Sequence, residues 1–215
     1  MADPVKRTYQ SARRAQTALQ TRRLIRDAAA ELFVRQGITA TTMRQVAVAA
    51  GVAERTVYTA FPTKTALFNE VIDIATVGDE LPVPVAERAD FVATQTQTDA
   101  AWASRQLVDH GCALFERAGD LIIAAVESSG ADQDMREFCD KSAAATSANL
   151  LTVAKAWERN GLLRAGLDSA QAGAILFALF SPHVHHLLRR DQGWDVDRYR
   201  DWLVDVISRT LLRAS

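Results

Sequence analysis

Residues 37–64 decide the fold, and they read GITATTMRQVAVAAGVAERTVYTAFPTK. Two short helical segments lie on either side of a three-residue turn at residues 51–53. Thr42 stands three residues before Gln45, a capping-box arrangement that predicts the start of the first helix. Pro62 closes the second helix, because the residue before a proline is pushed out of the helical conformation. Helices of about two turns are unstable alone, so both need neighbours to pack against.

Apolar residues before and after this stretch recur at helical spacing and predict those neighbours. The preceding helix ends at Gly37 and buries Leu24, Ile25, Ala28, Ala29, Leu32 and Phe33. The following helix is capped by Thr63, ends at Gly78 and buries Leu67, Phe68, Val71, Ile72 and Ala75. Residues 37–64 are therefore expected to be held between two longer helices.

The rest of the chain is also predicted to be helical, because no alternation of the β type occurs over a useful length. Helical patterns cover roughly 100–117, 120–129, 133–159, 169–190 and 196–213. Asp168 with Gln171, and Asp195, can cap the last two, and Ser181-Pro182 should kink the helix it interrupts. The prediction is an all-α chain with boundaries near residues 18 and 78.

Charge divides the chain of 215 residues into two unlike parts. Residues 1–65 hold 11 lysines and arginines against 4 acidic residues, a net +7, and the remainder is net −8. A basic N-terminal part followed by an acidic remainder suggests that only the N-terminal part binds a polyanion. Chance clustering of solvated charge is the alternative.

Composition and motifs bound the function further. Cys112 and Cys139 lack the spacing of a metal site and suit a reducing compartment. The basic N-terminus is not followed by the apolar segment of a signal peptide, and the apolar stretch 174–180 is too short to span a bilayer. We expect a cytoplasmic protein without a membrane partner. Without a phosphate-binding loop, a zinc-protease motif or a serine-hydrolase elbow, we also expect no enzyme, no cofactor and no metal.

The residues around the turn form a specific pattern. Its features are Phe33 ahead of Gly37, Thr41-Thr42, Ala47-x-x-Ala50-Gly51-Val52, and Thr56-Val57-Tyr58-x-x-Phe61-Pro62-x-Lys64 followed by Leu67. From about residue 22 to residue 71 the chain thus resembles the TetR family of transcriptional regulators. The resemblance implies a three-helix helix-turn-helix DNA-binding domain over 19–78, including the connecting helix. It implies a helical-bundle domain for effector binding and dimerisation over 79–215.

The second short helix is then the helix that enters the major groove. Phosphate contacts are expected from Thr42, Tyr58 and Lys64. Base readout is expected from Arg44, Arg55, Thr56 and Thr59. Ala53 departs from the family pattern, in which a serine often stands at this position, so a side-chain cap is not expected there.

Residues 1–18 read as a flexible basic arm that carries Lys6, Arg7, Arg13 and Arg14, with Arg22 and Arg23 nearby. The arm could enter the minor groove, as arms of other DNA readers do. A merely solubilising tail is the alternative.

For the C-terminal domain the resemblance implies only a helical domain in general, and it implies no role for any individual residue. A wide apolar stripe on the last helix predicts a dimer interface at Trp202, Leu203, Val206 and Ile207. A pocket for a small apolar effector would be lined by Trp102, Cys112, Phe115, Phe138, Trp157 and Phe177. A metal at His183 and His186 is conceivable but not expected, since no carboxylate or cysteine lies at ligand spacing.

The sequence thus predicts a homodimeric repressor that binds an inverted-repeat operator in double-stranded DNA and is released by a small-molecule effector. The alternative is a DNA-binding regulator without small-molecule control, which acts constitutively or through a partner protein. The DNA-binding head would be the same in both.

Overall fold

The structure, a computed structural model, describes residues 4–79 and 83–213, with side chains at 14–79, 83–89 and 91–213. Those ranges contain helices and no strand, so the all-α prediction is confirmed. The helices are α1 Pro4–Gln36, α2 Met43–Ala49, α3 Glu54–Ala60, α4 Lys64–Val77, α5 Ala89–Thr96, α6 Ala100–Ser128, α7 Gln133–Arg159, α8 Ser169–Leu179, α9 Pro182–His186 and α10 Val196–Leu211. No helix of the described ranges is long and apolar enough to cross a membrane.

The chain divides into two compact units, one ending at Asp73 and the other beginning at Ile74, within α4. In the first unit α1 packs on α2 and α2 on α3, and Phe33 of α1 meets Phe68 of α4 edge-on with ring centroids 5.8 Å apart. The turn between α2 and α3 passes through Gly51 with a φ of +66°, which suits a residue without Cβ.

Helix α1 begins at Pro4, so most of the predicted arm is helical. Residues 4–18 of this arm belong to α1, and residues 1–3 lie outside the described residues. Proline fits the first turn of a helix, and the alanines, glutamines and arginines after it are good helix formers.

The second unit packs α5 to α10 around an apolar core that includes Trp157, Leu176 and Leu203, all fully buried. Helix α5 was not predicted, and α6 is one continuous helix where two were expected. Gly119 does not break α6. A Cβ at Gly119 would lie 3.2 Å from Nδ1 of His185, so the glycine permits a close approach of the two elements.

Several local predictions in the second unit are confirmed. Asp168 and Gln171 form a capping box at the start of α8, and Asp195 caps α10. Ser181 caps α9 directly after the end of α8, and Pro182 occupies the first turn of α9. The expected kink is therefore a complete break between two helices, followed by a π-helical turn at Leu187–Asp191.

Candidate nucleic-acid interface

Helix α3 presents most of its surface to solvent. Its one buried residue is Val57, with no exposed area, and Phe61 just beyond its end is also buried. Arg55, Tyr58 and Thr59 are exposed, and Tyr58 retains 48% of its accessible surface. The missing side-chain cap at Ala53 is confirmed. A two-turn helix anchored by one residue and otherwise exposed suits entry into a major groove.

The two arginines expected to read bases are free to do so. Arg44 on α2 and Arg55 on α3 are both exposed, and within the described ranges neither guanidinium pairs with a carboxylate. Thr56 is half-buried. The hydroxyl of Thr59 donates to the carbonyl of Arg55 at 2.8 Å, so its methyl group is the part left for a base.

The start of α2 is fixed by its own side chains. Thr42 accepts from the backbone N–H of Gln45 at 3.2 Å, and the Gln45 side chain accepts from the N–H of Thr42 at 2.8 Å. The Thr42 hydroxyl also donates to Gln45 at 2.9 Å. The predicted capping box is confirmed, and the hydroxyl expected to hold a phosphate is already engaged within the protein.

Lys64 is held in place by the protein backbone. Its ammonium donates to the carbonyl oxygens of Ile38 at 2.7 Å, Thr41 at 3.1 Å and Thr39 at 3.3 Å. These bonds use the three donors that an ammonium has. Lys64 therefore ties the start of α4 to the segment between α1 and α2, where the sequence suggested a free clamp for phosphate.

Arg22, which the sequence placed beside the arm, lies instead on Glu70 of α4. Its Nε donates to Glu70 Oε1 at 2.7 Å, and its Nη2 donates to Oε2. Arg26 donates to the same carboxylate at 3.1 Å. The one signal in the sequence is the four-residue spacing of Arg22 and Arg26, which puts both on one face of α1.

The six candidates for an effector pocket do not form one cluster. Trp102 and Phe177 each keep 38% of their surface exposed and lie at the surface of the unit. Cys112, Phe115 and Trp157 belong to the buried core, and Phe138 is half-buried. The Trp157 indole N–H donates to the carbonyl of Thr94 at 3.1 Å, which marks it as a core residue whose polar atom is satisfied.

The structure places two of the four residues expected at the dimer interface in the core of their own unit. Leu203 and Ile207 have no exposed area, because they pack in the core of their own unit. Trp202 and Val206 are half-buried. An apolar stripe indicates that a helix packs on something, and on α10 the inner face packs on helices of the same chain.

A buried polar group lies where α6, α9 and α10 meet. The His185 ring stacks on Phe115 with centroids 4.8 Å apart and meets Tyr199 edge-on at 5.2 Å. Its Nε2 lies 3.5 Å from Oε1 of Glu116, and burial lowers the pKa of His185. The hydroxyl of Tyr199 is buried without a hydrogen-bond partner among the described residues, and burial raises its pKa. No sequence pattern indicates that His185, rather than its neighbours His183 and His186, is buried.

The other histidines give no metal site in the described residues. His183 is exposed, and Nε2 of His186 lies 3.8 Å from Asp191. Over the described part of the chain, no group of three or more histidine, cysteine or acidic side chains is placed to hold a metal ion.

Residues 25–71 match the family model described as bacterial regulatory proteins, tetR family. NalD from Pseudomonas aeruginosa, the secondary repressor of the MexAB-OprM multidrug efflux pump, is 23% identical with a TM-score of 0.71, and the match covers 93% of this chain and 100% of NalD. A protein from Saccharomonospora viridis in complex with choline is 19% identical with a TM-score of 0.70, over 91% and 99% of the two chains. SmeT in complex with triclosan is 18% identical with a TM-score of 0.72, over 91% and 93%. Among curated proteins none matches this chain.

Proposed function

We propose, from the premise that this chain is a DNA-binding transcriptional regulator of the tetR family, that it acts as a homodimeric repressor. In this proposal it binds an inverted-repeat operator through α3 and is released by a small apolar effector. The observation that supports DNA binding by α3 is the exposure of Arg55, Tyr58 and Thr59 on a helix with one buried residue. The net charge of +7 over residues 1–65 supports it.

Within this function we assign Arg55 and Arg44 to base contacts and Tyr58 to a phosphate. An unpaired guanidinium can donate two hydrogen bonds to guanine, and this contact discriminates against other bases. The exposed hydroxyl of Tyr58 is placed to donate to the backbone of the duplex. We assign structural roles to Thr42 and Lys64, because their polar groups form hydrogen bonds within the unit.

A second copy of the chain is needed for function, because a single short reading helix gives too little affinity and specificity. Helix α8 offers a surface for it. Ala174, Phe177 and Ala178 are exposed on one face of this helix, whose opposite side is in the core. We propose that this apolar face, in place of Leu203 and Ile207, meets the partner.

Dimerisation can be tested by sedimentation equilibrium. Phe177→Glu places a charge in the proposed interface and is expected to give monomers that lose the affinity for an inverted repeat. Val92→Glu is the matched control, since Val92 on α5 is exposed to a similar extent, 41% against 38%. Dimers of the Phe177 variant with full affinity would contradict the proposed interface.

We propose that the effector enters where Phe115, His185 and Tyr199 meet. A buried hydroxyl without a partner costs stability, and a ligand that pairs with it would recover this cost. Binding sites for small molecules combine an apolar wall with a few such polar groups. Two proteins of similar fold have been solved in complex with choline and with triclosan, which supports a small-molecule effector for this chain.

The effector site can be tested with two chemically different probes. Triclosan represents apolar phenols and choline represents small cations, and Trp202, 5.9 Å from Tyr199, supplies the fluorescence signal. A saturable change with triclosan that weakens in Tyr199→Phe is expected. A response to choline alone would replace the apolar effector with a cation.

In this proposal, α4 transmits the effect of effector binding to the DNA-binding helices. Arg117 of α6 donates to the carbonyls of Ala75 and Thr76 in the last turn of α4, at 3.1 and 3.0 Å. The other end of α4 begins at Lys64, beside the segment before α2. A displacement of α4 by the effector would thus change the spacing of the two reading helices. Operator affinity unchanged at saturating effector would contradict this mechanism.

The function as a whole is tested by selecting binding sites for the purified protein from a random DNA pool. An inverted repeat with half-sites about one helical turn apart is expected. Affinity for the selected duplex should fall steeply with salt, as phosphate contacts require. Weak binding without an enriched sequence would contradict a specific regulator.

A further inference from the structure

The C-terminal end of α3 is held by one side chain from another helix. Arg22 Nη1 donates to the carbonyl of Ala60, the last residue of α3, at 2.7 Å. The Arg22 guanidinium also lies over the ring of Phe61, 4.0 Å from its centroid. A helix leaves its last carbonyls without intrahelical partners, and a cation there is favoured by the helix dipole.

The same guanidinium is anchored to α4. Its bidentate pair with Glu70 fixes the plane of the guanidinium, because both carboxylate oxygens accept from it. Arg26, whose side chain is only 12% exposed, donates to Glu70 from one turn further along α1. The hydrogen bond from Arg22 lowers the pKa of Glu70, with Arg26 acting in the same direction, which favours the charged carboxylate.

Apart from its packing beside α2, helix α3 has few contacts that set its direction. Val57 is its one buried residue, and its N-terminus lacks a side-chain cap. At the C-terminal end of α3 a rotation is opposed at Phe61 and at the Ala60 carbonyl, and Arg22 contacts both. An error of about 1 Å at a base contact is enough to lose a hydrogen bond.

We infer that Arg22 is a positioning residue for DNA recognition: held by Glu70 of α4, it sets the orientation of the reading helix α3 through the Ala60 carbonyl and the Phe61 ring. This inference rests on the proposed function. It assigns Arg22 to sequence discrimination, although the residue itself contacts neither base nor phosphate. It also gives the path by which a shift of α4 reaches α3.

The test compares two duplexes, the selected inverted repeat and a scrambled sequence of equal length, at one salt concentration. Arg22→Ala should weaken binding to the inverted repeat by about tenfold or more, which is the range for loss of charged hydrogen bonds. Binding to the scrambled duplex should weaken only as much as in Arg23→Ala. Arg23 is the matched control because it lies next on α1, is 75% exposed and loses the same charge.

Two milder variants keep the test decisive if Arg22→Ala does not fold, which circular dichroism at the assay temperature would reveal. Arg22→Lys keeps the positive charge but loses the planar guanidinium that donates two hydrogen bonds to one carboxylate. Glu70→Gln removes the negative charge that orients Arg22. Both should lower the affinity for the inverted repeat and leave that for the scrambled duplex unchanged. In a double-mutant cycle, Arg22→Lys with Glu70→Gln should lose less than the product of the two single effects.

Two results would overturn the inference. Arg22→Lys and Glu70→Gln with the wild-type ratio of the two affinities would show that the network does not affect recognition. Equal weakening of both duplexes by Arg22→Ala, well beyond that of Arg23→Ala, would make Arg22 a phosphate contact. Failure of the wild-type protein to select any sequence would instead contradict the proposed function, so the two failures are distinguishable.

Discussion

In the N-terminal unit the short helices are fixed by cations on backbone carbonyls, whereas in the C-terminal unit long helices pack around a large apolar core. Lys64 and Arg22 donate to carbonyls of the segments before α2 and at the end of α3. Trp157 and Leu203 have no exposed area in the core of the other unit. Directed hydrogen bonds fix the orientation of a helix that has little area to bury, and apolar packing supplies stability where the area is large.

The largest effect is expected from the apolar core of the C-terminal unit. Trp157→Ala should lower the free energy of unfolding by about 3–5 kcal/mol, because it leaves a cavity and a carbonyl of Thr94 without its donor. Urea denaturation followed by circular dichroism measures it. Trp102→Ala is the control, and a similar loss in this half-exposed position would contradict the assignment of Trp157 to the core.

Removal of the buried hydroxyl in the same unit should change the free energy of unfolding in the opposite direction. Tyr199→Phe is expected to raise the free energy of unfolding by about 1–3 kcal/mol, since the hydroxyl is buried without a partner in the described part of the chain. Thermal and urea denaturation without effector measure the change. A destabilised variant would mean that the hydroxyl is satisfied, and it would remove the main support for an effector there.

The two units should also differ in their response to acid. Burial lowers the pKa of His185 below its usual 6.5, with Arg189 and Arg190 acting in the same direction and Glu116 opposing them. As the pH falls below about 6.5, the unfolded chain takes up a proton that the folded unit does not, so stability is lost by at most about 1.4 kcal/mol per pH unit. Glu70 in the first unit has a lowered pKa, so its contribution is lost only below its usual value of 4.5.

Unfolding measured between pH 7.5 and 5 tests this difference. His185→Gln should reduce the pH dependence, and His183→Gln, at an exposed position, should leave it unchanged. The same slope in the wild-type protein and the His185 variant would contradict the assignment of this pH dependence to His185.

The smallest effect is expected at Lys64. Its dependence on salt distinguishes a structural role from a phosphate contact. Lys64→Gln should weaken DNA binding to all sequences by a modest factor while the slope of log affinity against log salt stays unchanged, because its donors are held by carbonyls. A lost phosphate contact would instead reduce this slope by about 1. Lys155→Gln on the exposed face of α7 controls for the change of net charge.

Local signals explain what the sequence could predict. The capping boxes at Thr42 and Asp168 and the apolar stripes of α1 and α4 depend on residues three or four apart. The capping boxes are confirmed, and so are the stripes except at Leu24, which is 47% exposed, and Ala75, which is half-buried. The contact of Arg22 with Glu70 joins residues 48 apart, and no short-range pattern indicates it.

Tertiary packing explains the errors. The sequence predicted a break between residues 117 and 120, but α6 continues through Gly119, where the ring of His185 approaches closely. The stripe on α10 was assigned to a second copy because a pattern on one helix does not identify the surface that covers it. Among the aromatic residues, Trp157 and Phe177 both lie in helical segments, yet one is fully buried and the other is exposed.

The measurement that tests the central claim most directly is the affinity of Arg55→Ala for every single-base variant of the selected operator. If α3 reads the major groove, preference should be lost at one position in each half-site, at about 1–3 kcal/mol per contact, and the remaining positions should keep theirs. A uniform loss over all positions would make Arg55 a phosphate contact. An unchanged profile would contradict the claim that α3 is the reading helix.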